Sequence, residues 1–400
     1  MRHGTLKLRL VAGAVCVGAL AAACGSARHT SSQAPPPGSV PVSSATSSTT
    51  TSGTFAGSAG RKTPLSGLID MGYQGPYSDD QPFPPTDPSA LDAYAGAFSG
   101  IVVNESWSQL EPSAGVYDWA PLDTSLANVS AWNLQHPSTP LGVKLRVFAG
   151  QSAPDWVVAL SGPKVTVTIG LHGEKTVSVG RFWTTPFRQA WSTFQHALAT
   201  RYDSNPLIRA VSVSSCSSST GEPFIVPVAG RVNSATLLGA GWSVQAQESC
   251  LQEALADYSG WHETPVTFAF SPLPTAPGFD QSFTNSIMAD CASSGASGGP
   301  QCLLGNNGLS SQAPTSKAIG STYAEIAKLE QTPEPDRPGV YFQTVGSPLD
   351  CQAMSVATAF HASSVEVWPP IGRLKGFSAI PAGTLAQWNQ DLIQGHPITC

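Results

Sequence analysis

Charged side chains are scarce in this 400-residue sequence. They make up 12% of the residues, whereas about a quarter of an average protein is charged. The 20 lysines and arginines are outnumbered by 26 aspartates and glutamates, which gives a formal net charge of -6, and the basic residues form no cluster. A nucleic-acid-binding surface needs such a cluster. The sequence therefore predicts no nucleic-acid partner.

Several motifs of cofactor and nucleophile chemistry are also missing. The cysteines show no CxxC pair and no Cys/His spacing typical of zinc sites. No Gly-x-Ser-x-Gly elbow follows a predicted strand, which argues against a serine hydrolase. The glycine-rich run at 293–299 lacks the Lys-Ser/Thr ending of a phosphate-binding loop. The sequence therefore predicts neither a metal site nor a cofactor.

The apolar run at residues 10–23 is too short for a membrane span, which needs about 20 residues. Basic residues precede this run and small residues end it, as in an export signal. The exit Leu20-Ala-Ala-Ala-Cys24 resembles the lipobox of bacterial lipoproteins, in which the cysteine is acylated. The resemblance implies a signal peptide over residues 1–24 and a lipid anchor at Cys24 on the outer face of the membrane. Ordinary cleavage near the alanine run, followed by secretion, is the alternative.

Residues 25–63 consist mainly of Ser, Thr, Pro, Ala and Gly. Such a segment buries too little surface to offset its chain entropy. It is typical of a flexible tether that holds a folded domain away from a membrane or wall, although a tail without a role would have the same composition. The folded domain is predicted over residues 64–400.

Six cysteines lie in the predicted domain, and an even number suits an oxidising compartment. Six cysteines allow 15 pairings, but loop-closure entropy favours partners that are close in sequence. We therefore predict the pairs Cys216–Cys250, Cys291–Cys302 and Cys351–Cys400.

Short apolar runs alternate with longer amphipathic stretches throughout the domain, which indicates βα units and a parallel sheet. The number of candidate strands, eight, is the number that closes a (β/α)8 TIM barrel. They are residues 68–71, 100–103, 142–148, 208–214, 266–270, 302–304, 340–344 and 365–367. Helical patterns lie between them at residues 122–133, 187–202, 246–258, 321–331, 349–361 and 385–395.

The rhythm is interrupted after the third strand. Residues 165–169 and 176–179 each alternate apolar and polar side chains around a turn at 172–174, which predicts a β-hairpin insertion. The hairpin either walls a cleft at the carboxyl end of the barrel or has only a packing role.

Residues 105–119, with the letters ESWSQLEPSAGVYDW, resemble the second-strand segment of barrel glycoside hydrolases, especially β-galactosidase-like and cellulase-like members. Residues 144–156 resemble their third strand and its Pro-Asp-Trp loop, and residues 191–206 the helix before their fourth strand. The similarity extends over about 100–223. It implies the TIM-barrel fold and cleavage of glycosidic bonds by carboxylate acid/base catalysis.

In that family the fourth strand ends with the acid/base glutamate, and Glu222 stands in the matching place. A partly desolvated carboxyl group at the barrel mouth can protonate a leaving-group oxygen, whereas a loop glutamate facing solvent is the simpler interpretation. Two departures stand out: Gly221 replaces an asparagine that holds a sugar hydroxyl, and Gln343 replaces the nucleophile glutamate at the end of the seventh strand.

Hydrolysis needs a second carboxylate. Glu366, in the predicted eighth strand, is the first choice; its alternative role is to orient a sugar hydroxyl. Asp70 on the first strand and Glu105 on the second are further candidates, as catalytic or sugar-binding groups.

Aromatic rings beyond strand ends can stack on sugar rings, although a tryptophan is more often part of the core. The candidates are Trp107, Trp156, Trp183 and Trp368. Arg146, on the third strand, is expected either to bind sugar or to pair with a barrel carboxylate. Gln343 is also a predicted sugar-binding residue.

The sequence thus predicts a glycoside hydrolase that acts on an extracellular or cell-envelope polysaccharide. A non-catalytic carbohydrate-binding lipoprotein on the same barrel is the alternative, which Gln343 and Gly221 favour. An envelope scaffold without a sugar ligand is a third possibility, because fold does not dictate function.

Overall fold

A computed structural model describes residues 60–72, 82–169, 175–223, 234–275, 278–333, 337–344, 349–368 and 380–400. The predicted signal peptide over 1–24, the anchor Cys24 and the predicted tether up to residue 59 lie outside the described residues.

Eight parallel strands close into a barrel in the order β1-β12-β11-β10-β7-β6-β3-β2, which confirms the predicted fold class and all eight predicted strands. The barrel strands are β1 (Gly67–Asp70), β2 (Gly100–Ser106), β3 (Gly142–Phe148), β6 (Ile208–Ser212), β7 (Val266–Ala269), β10 (Cys302–Asn306), β11 (Val340–Gln343) and β12 (Ser364–Val367). The remaining strands form two small antiparallel pairs: β4 (Val165–Ile169) with β5 (Lys175–Val179), and β8 (Leu273–Thr275) with β9 (Gly278–Asp280).

All six predicted helices are present, with boundaries shifted by a few residues. The α-helices are α1 (Trp107–Leu110), α2 (Ala120–Gln135), α3 (Asp155–Ser161), α4 (Thr185–Tyr202), α5 (Ser234–Gly239), α6 (Val244–Glu253), α7 (Gln281–Ser294), α8 (Gly320–Leu329), α9 (Cys351–Ala359) and α10 (Ala382–Gln394). Short 3-10 turns cover Pro88–Tyr94, Ala256–Tyr258 and Ala313–Thr315. None of the described helices is both long and apolar enough to cross a membrane.

Side chains alternate between the two faces of each barrel strand, as the pleat requires. In α4, Phe187, Trp191, Phe194 and Leu198 are buried in the main core, which lies between the strands and the helices. A much smaller apolar cluster fills the interior of the barrel and consists of Leu65, Ile69, Met71, Val102 and Ala210. The rest of the interior near β3 is charged, and this region becomes the candidate site.

The predicted hairpin is present, with β4 and β5 paired antiparallel from Val165 opposite Val179. Val165, Val167, Val177 and Val179 are buried in the main core, so one face of the hairpin packs against the domain. Its predicted turn at 172–174 lies outside the described residues.

All three predicted disulfides are present. Their Cα–Cα distances are 5.8, 5.2 and 5.8 Å for Cys216–Cys250, Cys291–Cys302 and Cys351–Cys400. The first joins the loop after β6 to α6, the second joins α7 to β10, and the third joins the start of α9 to residue 400.

Lys62, which the sequence assigns to the tether, contacts the amino end of the barrel. The Lys62 ammonium donates to the carbonyl oxygens of Asn205 and Ile208 at 2.7 and 3.1 Å, just before and at the start of β6. It also donates to Thr264 Oγ1 at 2.8 Å. A residue of the predicted tether therefore contacts the barrel two positions before the predicted boundary at 64.

Candidate active site

Glu222 lies in the loop that follows β6, at the carboxyl end of the barrel. Ser214 Oγ donates to the Gly221 carbonyl at 2.7 Å, and Thr220 Oγ1 donates to the Glu222 carbonyl at 2.8 Å. The Ser214 amide in turn donates to the Tyr258 hydroxyl at 2.7 Å. These bonds hold the backbone on both sides of Glu222, whose side chain is buried. The alternative of a solvent-facing loop glutamate is therefore wrong.

Arg146 brings Glu222 and Glu366 together inside the barrel. Its Nη2 donates to Glu222 Oε1 at 2.6 Å and to Glu366 Oε2 at 2.5 Å. Since both oxygens are bonded to one nitrogen, they are separated by about 5 Å or less. Lys144, two residues earlier on β3, forms an ion pair with Glu366 Oε1. The exposed fraction of each of these four side chains is 4% or less.

Lys144 and Asn307 complete this cluster and were not predicted from the sequence. Lys144 points into the barrel because it lies two residues from Arg146, on the same face of β3. Its ammonium lies 4.0 Å from the centre of the Tyr341 ring. Asn307, just after β10, donates from Nδ2 to Glu222 Oε2 at 2.8 Å. A second cation two positions from Arg146 in an otherwise apolar strand was the available signal for Lys144; no sequence signal marks Asn307.

The charges of the cluster shift the proton affinities of its members in opposite directions. Burial would raise the pKa of Glu366, but the positive charges of Arg146 and Lys144 outweigh burial and lower it. Burial lowers the pKa of Lys144 despite the nearby Glu366. Burial would also lower the pKa of Arg146, but the negative charges of Glu222 and Glu366 outweigh burial and raise that pKa. Glu366 is therefore held as a carboxylate at neutral pH.

The structure explains why glycine precedes Glu222. A Cβ atom at Gly221 would lie 2.4 Å from Cδ and 2.6 Å from Cγ of Arg146. It would also lie 3.2 Å from the Phe148 ring. The stem of Arg146 thus fills the space beside Gly221, so an asparagine there would collide with the residue that bridges the two acids.

Gln343 occupies an inward position at the end of β11, directly in register with Glu366 on β12. Its side chain is 4% exposed. Glu366 therefore stands beside Gln343 on the neighbouring strand.

Asp70 and Glu105 point away from the cluster. Glu105 Oε1 accepts a hydrogen bond from Ser125 Oγ of α2 at 3.1 Å, so this side chain lies between the barrel and a helix. Asp70 shares a face of β1 with Leu68, which belongs to the main core, and accepts from the Gly72 amide at 2.9 Å. Strand alternation directs both side chains outward, so the structure does not bring these two predicted site residues to the cluster.

The four tryptophans separate into core and mouth positions. Trp107 is fully buried among Trp156, Phe187 and Trp191, at ring distances of 6.1, 5.3 and 5.0 Å. Trp183 is also buried in the main core. Neither can serve as a sugar platform, because the surrounding side chains cover their rings.

Trp156 is partly buried, and its indole nitrogen donates to the Glu111 carbonyl at 3.1 Å. It packs against the same core as Trp107. Trp368 differs: it directly follows β12, is partly exposed, and packs on the interior cluster that contains Met71 and Ile69. Trp368 is therefore the predicted platform whose position suits a sugar ring beside Glu366.

Within the described parts of the chain, no group of three or more His, Cys, Asp or Glu side chains could hold a metal ion. The cluster offers two carboxylates within reach of one reacting centre, two cations and several amides. Such a set can transfer protons, attack an electrophilic carbon and hydrogen-bond hydroxyl groups.

Comparison with protein-family models finds no match, and no curated protein is similar in sequence. Solved structures are similar in fold. The catalytic domain of β-amylase from Paenibacillus polymyxa superposes with a TM-score of 0.51 at 9% identity, over 82% of this chain and 98% of that one. Endo-glycoceramidase II from Rhodococcus sp. gives a TM-score of 0.45 at 15% identity, over 78% and 76%. An endogalactoceramidase gives 0.44 at 16% identity, over 77% and 71%. The closed parallel barrel and the superposition on the β-amylase domain show that the chain is a (β/α)8 barrel, a fold that it shares with that domain.

Proposed function

We propose that this protein is a glycoside hydrolase in which Glu222 is the general acid/base and Glu366 is the second carboxylate. The single observation that carries the proposal is the shared bond to Arg146, which brings an acid of the loop after β6 and an acid of β12 within about 5 Å of each other. The loops at the carboxyl end of the barrel are where active sites of this fold lie. The fold shared with β-amylase adds support.

The separation favours retention of configuration, since retaining enzymes place their carboxyl groups about 5 to 5.5 Å apart. Glu222, once it has taken up a proton from solvent, would give that proton to the leaving oxygen while Glu366 attacks the anomeric carbon. Water would then break the glycosyl–Glu366 ester, with Glu222 taking the proton of that water. Arg146 holds the two acids at this spacing, and Lys144 stabilises the charge of Glu366.

The test is release of reducing ends from a panel of polysaccharides by the purified full-length chain. Glu222→Gln and Glu366→Gln should each lower kcat/KM by about a hundredfold to ten-thousandfold, the range of acid–base catalysis. Glu253→Gln is the matched control, because Glu253 is 58% exposed and pairs with Arg188 on a helix. Unchanged release by folded Glu222→Gln protein would refute the assignment.

A non-catalytic carbohydrate-binding protein is the second candidate, and one observation favours it. Every oxygen of the two carboxylates already accepts a hydrogen bond from Arg146, Lys144 or Asn307, and Glu366 is fully buried. A nucleophile must free one oxygen to react. If binding is the function, glycans bind without release of reducing ends, and Glu222→Gln weakens affinity only modestly.

We further propose that the protein is exported and anchored through an acylated Cys24, and that its substrate is an extracellular or envelope polysaccharide. The support is the basic start, the short apolar run and the Leu20-Ala-Ala-Ala-Cys24 exit. In a bacterial host fed labelled palmitate, the wild type should carry the label and Cys24→Ala should not. Labelling of both, or of neither, would contradict the anchor.

A further inference from the structure

The cluster around Arg146 is balanced in charge. Two cations, Lys144 and Arg146, face two carboxylates, Glu222 and Glu366, and each cation is bonded to at least one of the carboxylates. All four lie almost entirely out of contact with solvent. A ligand that carried its own carboxylate would add a third negative charge close to two existing ones, and both cations are already neutralised. Charge repulsion in this poorly solvated space is strong.

The uncharged groups of the site are unpartnered acceptors. Asn104 Nδ2 donates to the Met71 carbonyl at 3.1 Å, and Asn307 Nδ2 donates to Glu222 Oε2 at 2.8 Å. Because a carbonyl and a carboxylate only accept, these bonds fix which end of each amide is oxygen. Both Oδ1 atoms are buried and have no hydrogen-bond partner among the described residues. Gln343 Oε1 is likewise buried and without a partner among these residues.

The three amide side chains belong to residues that neighbour the cluster. Asn104 is in register with Arg146, Gln343 is in register with Glu366, and Asn307 bonds Glu222 directly. The Asn104 and Gln343 side chains are 2% and 4% exposed. A buried carbonyl oxygen without a donor is unfavourable, so the site favours a ligand that brings O–H donors. The hydroxyl groups of a sugar supply them, whereas the carboxylate of a uronic acid supplies none.

We propose that the site between Glu222, Glu366 and the amides of Asn104, Asn307 and Gln343 takes an uncharged sugar ring and rejects a uronic acid ring. This inference rests on the proposed sugar-binding function and names its substrate class. Trp368 supports it, since its partly exposed ring at the mouth is suited to the apolar face of a neutral sugar.

The test measures binding, so that it does not depend on turnover. Calorimetry on the full-length chain compares oligosaccharides of one linkage that differ only in the oxidation state of C6. Suitable pairs are cellotetraose with its glucuronate counterpart and β-1,4-mannotetraose with its mannuronate counterpart. The neutral member of at least one pair should bind at least tenfold more tightly than its acidic member. Equal or tighter binding of the acidic members would overturn the inference.

A variant of the cluster and a surface control test the charge argument. Glu366→Gln removes one negative charge from the cluster and should reduce the preference for the neutral ring at least tenfold. Glu253→Gln makes the same change of net charge on the surface and should leave the preference unchanged. If Glu366→Gln fails to fold, Asn307→Ala keeps the test open. It removes one acceptor and should weaken binding of the neutral ring about tenfold while affecting the uronate less. An unchanged preference in the folded variants would overturn the inference.

The outcomes separate the two proposals. Release of reducing ends without a preference for neutral rings would overturn the inference and leave the hydrolase assignment standing. A clear preference for neutral rings in binding, without any release of reducing ends, would support the inference and refute the hydrolase assignment. If no member of any sugar pair binds, both the hydrolase assignment and the inference are refuted.

Discussion

Gly221 and Arg146 depend on each other because they share one space. The Arg146 stem passes within 2.4 Å of where a Cβ at position 221 would lie, and its guanidinium bridges the two acids beyond. A side chain at 221 can be accommodated only if the arginine moves, and movement breaks both ion pairs.

We therefore expect Gly221→Ala to lower the free energy of unfolding by about 1 to 3 kcal/mol, the usual range for overpacking. In an Arg146→Ala background the same substitution should cost less than about 0.5 kcal/mol, because the steric conflict is gone. Urea denaturation of the four proteins gives the interaction energy. Gly383→Ala in α10 is the control, since nothing lies within 4 Å of its Cβ position. Equal costs in both backgrounds would contradict the steric explanation.

The direction of single side chains is also what sequence reasoning could not supply. Trp107 and Trp368 each directly follow a barrel strand, yet one is enclosed by aromatic rings and the other borders the barrel interior. The letters alone do not distinguish them. Asn307 was missed for the same reason: an amide in a turn has no periodicity, and its bond to Glu222 exists only once the chain has folded.

At the scale of elements, the contact between β2 and α2 contains a buried acid. Glu105 Oε1 accepts from Ser125 Oγ, and Oε2 has no partner among the described residues. Burial is the main cause that raises the pKa of this carboxyl from 4.5 to about 8, so it is protonated at neutral pH.

This contact makes stability depend on pH. The folded chain keeps a proton on Glu105 that the unfolded chain releases near pH 4.5, so the free energy of unfolding falls as pH rises from about 4.5 to about 8. Glu105→Gln removes this dependence. Relative to wild type, the variant should gain roughly 3 kcal/mol between pH 5 and pH 8. Denaturant titrations at the two pH values test this, with Glu253→Gln as the surface control. A constant difference between Glu105→Gln and wild type would contradict the protonated state.

Element prediction succeeded where burial imposes a period. Each barrel strand is an apolar run, and α4 repeats its apolar residues at helical spacing, so both were recognised. Helix α7 was not predicted. Its buried residues are Thr284, Ile287, Met288 and Cys291, only some of them strongly apolar, and the Ser/Gly-rich stretch after it indicates turns. The Cys291–Cys302 disulfide joins this helix to β10.

At the scale of the whole molecule, the fold was predictable because eight strands in alternation with helices permit few arrangements. The disulfides followed from the same order, since each pair joins neighbouring segments of the chain. The site was predictable in part. Family resemblance marked Glu222, position at a strand end marked Glu366, and an inward position on the third strand marked Arg146. Lys144 balances the charge around them, and its role depends on β3, β12 and the loop after β6 meeting inside the barrel.

The sharing of one guanidinium by two acids bears on how this protein can change over generations. Replacing either glutamate by a neutral residue leaves a buried positive charge without its compensating negative charge. Replacing the arginine leaves two negative charges close to each other. Each single step is therefore costly, and the members of the cluster are expected to be inherited or lost together. A descendant that loses the activity would carry compensating substitutions at several of these positions at once. A comparison of related sequences would detect such correlated substitutions.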